Sequence, residues 1–171
     1  MAHELHIALI LTYLDDSDLL IICKNIKEWR NIVTRYGKLF NVKLGPTIKE
    51  NDLRYFSNVK EIDLCCTNIT DSGLFHLQGI PIIDLSYTNI TDSGLFHLQG
   101  VHTIYLRDCD NITDQGLAYL HGVHDINLDS CNKITDAGMV HLSGVHEIDL
   151  NGCNKITIIG RNFLKEATIW N

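Results

Sequence analysis

The sequence predicts an α/β repeat protein, in which short strand–helix units stack into a solenoid behind a small helical segment. Residues 67–79, TNITDSGLFHLQG, return letter for letter at 88–100, and weaker copies follow at Asn111, Lys133 and Lys155. The period is therefore 21 to 22 residues. Self-similarity at a period of roughly 20 to 50 residues indicates a repeat architecture. Each unit also changes its hydrophobic period half-way along.

The front half of each unit predicts a strand. The five units start at Val59, Ile80, Val101, Val123 and Val145. Apolar residues then alternate with polar ones, as Ile62 and Leu64 do in the first unit. Alternation with a period of two over a short run is typical of a half-buried strand.

The back half of each unit predicts a short helix. In the first unit Leu74 and Leu77 have helical spacing, Thr70 or Asp71 is the expected N-cap, and Gly79 is the expected C′ residue. One strand and a helix of about seven residues cannot bury an apolar face alone. We therefore expect the units to stack and to share one core, with Leu64 and its equivalents in a single buried row.

The repeated frame, L-x-x-L-x-L-x-x-[NC]-x-(x)-I, resembles the leucine-rich repeat. Three later units carry a cysteine at the turn, which is similar to the cysteine-containing subtype: Cys109, Cys131 and Cys153. The first two units have Thr67 and Thr88 there and are one residue shorter. The resemblance covers about residues 42–171. It implies a right-handed leucine-rich-repeat solenoid with parallel strands on the concave face and helices on the convex face.

The solenoid is expected to occupy residues 39–171. Residues 39–58 are predicted to form a degenerate repeat with Val42 and Leu44 as its strand. A C-terminal cap is expected from about residue 160, because terminal repeats have to shield an exposed edge. The apolar residues of this cap should fold over the final strand, unless the tail frays: Phe163, Leu164, Ile169 and Trp170.

Residues 1–38 do not repeat and predict three short helices. The first is ELHIALILTYL, the second is DLLIICKNI with Asp16 or Ser17 as its cap, and the third runs from Lys27 to Tyr36. Such a short segment cannot form a sizeable core alone. We expect it to pack on the first repeat, on a partner, or on both.

This segment resembles an F-box, whose pattern is L-P-x-E, an apolar helix, Y-L, a few polar residues, D-L-L and K-x-W. The resemblance implies contact with a Skp1-like adaptor protein through Leu5, Ile7, Ile10, Leu14, Leu19, Leu20 and Trp29. Ala2 and His3 stand where the family has the Leu-Pro of that contact. The alternative is that the helices only cap the open end of the solenoid.

Together the two resemblances imply a substrate-recognition adaptor of an SCF-type (Skp1–cullin–F-box) ubiquitin ligase, since an F-box followed by leucine-rich repeats is a known order of modules. The chain also resembles short repeat proteins of large DNA viruses of amoebae, which would recruit a host ligase. The alternative function is a stand-alone protein–protein interaction module.

Composition narrows the partners and the compartment. Residues 1–60 carry nine basic and seven acidic groups, a net charge of +2, whereas residues 61–160 carry three basic and 13 acidic groups, a net charge of −10. Such acidic repeats argue against nucleic acid as the ligand. The sequence shows neither a long apolar run nor a secretory leader, so we expect no membrane contact. Three of the six cysteines recur at a 22-residue spacing, one in each later unit, so we expect no disulfides. This favours a reducing compartment, cytoplasmic or nuclear, or host cytoplasm for a viral chain.

Catalysis and metal binding have little support in the sequence. It contains no Gly-rich phosphate loop, G-x-S-x-G, H-E-x-x-H or C-x-x-C motif. Six of the nine histidines occupy two repeat positions: His76, His97 and His141 at one, and His102, His124 and His146 at the other. Tyr119 and Phe163 share the first position, which favours an aromatic site over a metal ligand. We therefore expect that the protein is not an enzyme and that it binds neither a cofactor nor a metal. The rival hypothesis is an enzyme or metal protein that uses the histidines.

Outward strand residues predict the binding surface, because this surface varies where the scaffold does not. It is acidic, so we expect a target protein that presents a basic segment; the alternative is a solvated face with no ligand. The predicted target-binding residues are Glu61, Asp63, Asp84, Tyr87, Tyr105, Arg107, Asp125, Asn127, Asp129 and Asp149.

Overall fold

The computed structural model describes residues 2–11, 13–14 and 16–170, and of residues 2, 3 and 16 it describes the backbone only. Three helices come first: α1 Ala2–Leu11, α2 Asp16–Asn25 and α3 Lys27–Arg35. The sequence predicted all three. The cap of α2 differs from the prediction, because Asp16 and Ser17 both lie inside that helix.

Seven strands of three residues each form one parallel sheet, and they follow one another in chain order. They are β1 Asn41–Lys43, β2 Glu61–Asp63, β3 Ile82–Asp84, β4 Thr103–Tyr105, β5 Asp125–Asn127, β6 Glu147–Asp149 and β7 Thr168–Trp170. The predicted α/β solenoid with parallel strands is confirmed.

Short helical turns lie on the other side of the units. Four are α-helical: α4 Asp71–Leu74, α5 Asp92–Leu95, α6 Asp114–Leu117 and α7 Ile158–Arg161. The 3₁₀ turns are Gly37–Leu39, Glu50–Phe56, Phe75–Leu77, Phe96–Leu98, Ala118–Leu120 and Gly138–Leu142. In the first unit Thr70 precedes α4, and Gly79 follows the turn with a φ of +80°, a backbone conformation that glycine adopts most readily.

One apolar row runs through the solenoid, as predicted. Five leucines that follow the strands are at most 2% exposed: Leu64, Leu85, Leu106, Leu128 and Leu150. They belong to a single core that continues into the helical segment through Cys23, Ile32 and Val33. No unit could bury this row alone, so stacking is what makes the core continuous.

The cysteines at the turns of the three later units form a regular series of contacts between neighbouring units. Cys109, Cys131 and Cys153 are free and buried. Their thiols donate to main-chain carbonyl oxygens of the preceding unit, over 3.2, 3.0 and 2.9 Å respectively. In the shorter units Thr67 and Thr88 instead donate to a carbonyl oxygen of their own unit, over 2.7 and 2.6 Å.

The helical segment packs directly on the degenerate repeat of residues 39–58. The Lys24 ammonium lies 2.6 Å from the Asp52 carboxylate. The Arg30 guanidinium lies 4.9 Å from the centre of the Tyr55 ring. A Cβ on Gly37 would lie 2.3 Å from a main-chain oxygen of residue 58, so glycine permits the close approach of the two segments.

The C-terminal segment departs from the prediction, because residues 168–170 form a seventh strand that pairs with β6. Of the four residues expected to fold over the final strand, Leu164 is buried, Ile169 packs partly against the core, and Phe163 and Trp170 are exposed. None of the helices formed by the described residues has the length and apolar character needed to span a bilayer.

Candidate functional site

The outward side chains of the sheet form two straight rows, because parallel pairing keeps equivalent residues side by side at about 4.8 Å. The first row is Asn41, Glu61, Ile82, Thr103, Asp125, Glu147 and Thr168. The second is Lys43, Asp63, Asp84, Tyr105, Asn127, Asp149 and Trp170. The predicted target-binding residues of the strands therefore lie on one surface, which we call the concave face.

Part of this face is neutralised by the chain's own cations. Lys43 Nζ lies 2.5 Å from an Asp63 carboxylate oxygen. Arg107 lies 3.2 Å from Asp129, which is only 5% exposed, and its guanidinium lies 5.8 Å from the centre of the Tyr87 ring. Asp129 was predicted to touch the target, but its burial and this ion pair make it a support for Arg107.

A cavity of about 220 Å³ opens on the other half of the concave face. Tyr105 and Trp170 stand at its two ends, and the β5 and β6 strands lie between them. Asp125, Glu147 and Asp149 line it with carboxylates. Trp170 and Glu147 were not among the predicted site residues. Ile169 follows Ile148 by 21 residues, and this repeat spacing could have placed Trp170 beside Asp149.

Asp149 is held in place by neutral donors that leave its charge intact. It accepts hydrogen bonds from Asn127 Nδ2 at 3.0 Å and from the main-chain N–H of Asn151 at 3.0 Å. Desolvation by burial raises the pKa of Tyr105, and nearby carboxylates, Glu61 first, raise it further. The phenol therefore stays protonated beside an acidic surface.

Three histidines, each directly before a strand, stack on one another next to β4, β5 and β6. The ring centres of His102 and His124, and of His124 and His146, are 4.6 Å apart, with interplanar angles of 18° and 21°. His124 Nδ1 lies 2.7 Å from an Asp125 oxygen. Ligand atoms of His102, His124 and Asp125 lie within 4.8 Å of one another. In stacked rings the in-plane lone pairs run parallel, so these nitrogens converge on one ion only after a ring rotates.

A vicinal cysteine pair lies after β2. The Sγ atoms of Cys65 and Cys66 are 3.4 Å apart, and Cys66 has a φ of +59°. Burial is the largest cause that raises the pKa of Cys65 to about 11, which disfavours its thiolate at neutral pH. Asp63 and Asp84 lie near Cys65, and ligand atoms of these three residues fall within 4.8 Å of one another.

The helical segment presents a second candidate surface. Of the residues predicted to contact a Skp1-like protein, Leu5 and Ile10 are 41% and 62% exposed, and Leu19 is 2% exposed and belongs to the core. The others are partly buried against the core: Ile7, Leu14, Leu20 and Trp29. Sequence reasoning missed four exposed apolar residues of this segment: Leu9, Tyr13, Ile21 and Ile26. The side chains of Ala2 and His3 lie outside the described part of the chain.

A family model for the leucine-rich repeat matches residues 82–98, which include β3 and α5. The fold is a leucine-rich-repeat solenoid. A search of curated proteins found no match. Among solved structures, a chain in the crystal structure of the yeast Rad7 and Elc1 complex matches with a TM-score of 0.54 and 13% identity, over 84% of the present chain and 52% of that chain. The present chain thus spans about half the length of that one, and the similarity is one of fold. Such a fold is typically an interaction scaffold and not an enzyme.

Proposed function

We propose that the chain is a substrate-recognition adaptor of an SCF-type ubiquitin ligase. An F-box-like segment, residues 1–38, binds a Skp1-like protein, and the solenoid of residues 39–171 holds a target on its concave face. The chain carries out no chemistry itself; it brings the two proteins together.

The observation that carries the proposal is the apolar surface of α1 and α2. Leu5, Leu9, Ile10 and Ile21 are between 41% and 62% exposed. Four exposed large apolar side chains on two successive short helices are more than scattered surface residues account for, and such surface commonly marks a protein interface. The same segment contacts the degenerate repeat through Lys24 and Arg30, so a partner bound there would be held at a defined position relative to the concave face.

The target site rests on the acidity of the concave face. Asp84, Asp125 and Asp149 face outward from β3, β5 and β6. Lys43 interacts electrostatically with Asp84, whereas among the described residues no lysine or arginine forms a salt bridge with Asp125 or Asp149. A target with a basic segment complements this charge. The yeast Rad7 structure was solved as a complex with Elc1. A protein partner for the present chain is part of our proposal.

Co-purification with a panel of Skp1-like proteins tests the adaptor function. Ile10→Asp should weaken capture at least tenfold, because it places a charge in the apolar surface without disturbing the core. Phe96→Asp is the matched control, since Phe96 is 53% exposed on the helical side of the solenoid. Failure of the wild-type chain to capture any Skp1-like protein, or equal losses in both variants, would overturn the proposal.

A second candidate is a stand-alone interaction module whose helices only cap the solenoid. Its support is that Leu19, Cys23 and Ile32 share one core with the repeats, so the helical segment already shields the end of the apolar row. In that case the concave face would still capture a target, and Ile10→Asp would have no effect on any partner.

A further inference from the structure

The cavity between Tyr105 and Trp170 combines aromatic ends with an acidic lining. Its volume, about 220 Å³, suits one long side chain and excludes a folded element. Tyr105, Asn127, Asp149 and Trp170 form consecutive positions of one row, on β4 to β7. The two aromatic rings are therefore separated by two strands whose outward groups are polar.

Three carboxylates line this space. Within the described residues, neither a lysine nor an arginine pairs with Asp125, Glu147 or Asp149. The nearest basic groups are His124, 2.7 Å from Asp125, and His146, 3.9 Å from Asp125 and 4.0 Å from Glu147. An anionic ligand would be repelled here, whereas a cation would gain from all three carboxylates.

The aromatic ends favour a cation as well. Tyr105 and Trp170 are 40% and 58% exposed, which is high for such large side chains. The faces of tryptophan and tyrosine attract ammonium and guanidinium groups, tryptophan most strongly. Their flat surfaces also pack against the apolar stem of a lysine or arginine.

A neighbouring part of the same face shows this arrangement made within the chain. The Arg107 guanidinium lies 5.8 Å from the Tyr87 ring centre and 3.2 Å from the Asp129 carboxylate. An aromatic ring and an acid thus already hold one arginine on this surface. The cavity offers the same pair of groups, with no described arginine or lysine of the chain to fill it.

We infer that this cavity binds one arginine or lysine side chain of the target, with Trp170 and Tyr105 against its stem and Asp125, Glu147 and Asp149 around its charge. This inference rests on the proposed target-binding role of the concave face. It names a basic side chain as the ligand and adds Trp170 and Glu147 to the site.

Titration of the full chain with the peptide GRGRGR, followed by the indole NMR signal of Trp170, tests the inference. The signal is assigned with Trp170→Phe. The arginine peptide should give a saturable shift, and the same peptide with the neutral isostere citrulline should not. Asp149→Asn, which keeps the shape of the side chain, should weaken binding about tenfold, the scale expected for one lost cation contact.

Matched variants separate the possible failures. Asp110→Asn removes a carboxylate distant from the cavity and should leave the affinity within about twofold of wild type. If Asp84→Asn weakens binding and Asp149→Asn does not, the proposal that the concave face binds a basic target stands, and the inference that the cavity binds the basic side chain is wrong. If no basic peptide binds, the proposed basic target and the cavity inference are both wrong. Binding of a Skp1-like protein is tested separately, by the co-purification experiment. Equal binding of the citrulline peptide, or a Ca²⁺ titration that alone reproduces the Trp170 shift, would also overturn the inference.

Discussion

Asp114→Ala tests whether the repeated I-T-D-x-G segment holds neighbouring units together. Asp114 accepts two hydrogen bonds from the next unit, one from the Thr135 main-chain N–H at 2.8 Å and one from the Thr135 hydroxyl at 2.6 Å. A Cβ on Gly138 would lie 2.5 Å from Asp114 Oδ1, which explains the glycine of the motif. The same contact recurs in three other pairs: Asp71 with Thr91, Asp92 with Thr113, and Asp136 with Thr157.

The expected destabilisation follows from these two hydrogen bonds. A hydrogen bond to a charged group contributes about 1.5–3 kcal/mol, and an unsatisfied buried donor costs about 1–3 kcal/mol. Asp114 and Thr135 are half-buried, so water replaces part of the loss. We expect Asp114→Ala to lower the free energy of unfolding by roughly 2–4 kcal/mol. Asp114→Asn should lie between, since its amide oxygen still accepts the main-chain N–H.

Urea unfolding followed by circular dichroism measures this change. Asp110→Ala is the matched control, because Asp110 is an exposed carboxylate of the same unit whose contact with Asn132 is 3.5 Å long. The Asp114→Ala transition should also broaden, since a weakened interface in the middle of a solenoid lets the two halves unfold separately. A difference below about 0.5 kcal/mol between Asp114→Ala and Asp110→Ala would refute the inter-repeat role.

Three further outcomes are expected. Ellman's reagent should modify at most Cys66 and Cys65 in the native chain, and Cys65 should react more slowly because its pKa is raised to about 11. All six thiols should react in denaturant, and rapid modification of more than two thiols in the native chain would contradict the burial of the other four. The pKa of Glu50 is lowered, mainly by a hydrogen bond from the Ser72 hydroxyl. As pH falls from neutral through the range in which glutamate protonates, the wild-type chain should therefore lose more stability than Glu50→Gln. Equal pH profiles of the two chains in urea unfolding would contradict this. Leu106→Ala should cost roughly 2–5 kcal/mol in the same assay, and a loss below 1 kcal/mol would mean that the buried row is not continuous.

The strands, their register and the buried row could be predicted because they follow from periodicity. A fixed repeat length places Ile62 beside Ile83, and alternation decides which side chains face the core. The equivalent positions of Cys109, Cys131 and Cys153 follow from the same spacing. These features depend only on the position of a residue within its unit, and predicting them requires no knowledge of the side-chain contacts between units.

The missed features depend on contacts between units or on weak local patterns. Thr70 and Asp71 suggested a helix cap, but sequence reasoning could not show that Asp71 accepts hydrogen bonds from Thr91 of the next unit. Leu19 lies in a helix with apolar residues at several successive positions, so its burial had no clear signal. β7 lacks the leucine that follows the other repeat strands, although the spacing of its isoleucine fits.

Carboxylates that look alike in the sequence fall into two groups in the structure. Those of the inter-repeat contacts, such as Asp92 and Asp114, bind threonine donors at the start of the helical turns, away from the outward rows of the sheet. Those around the cavity, such as Glu147 and Asp149, face outward from β6. The net charge of −10 on residues 61–160 therefore overstates what a ligand meets. Neutralising Asp114 should lower stability and leave target affinity intact, whereas Asp149→Asn should lower target affinity, because only the second charge faces the partner.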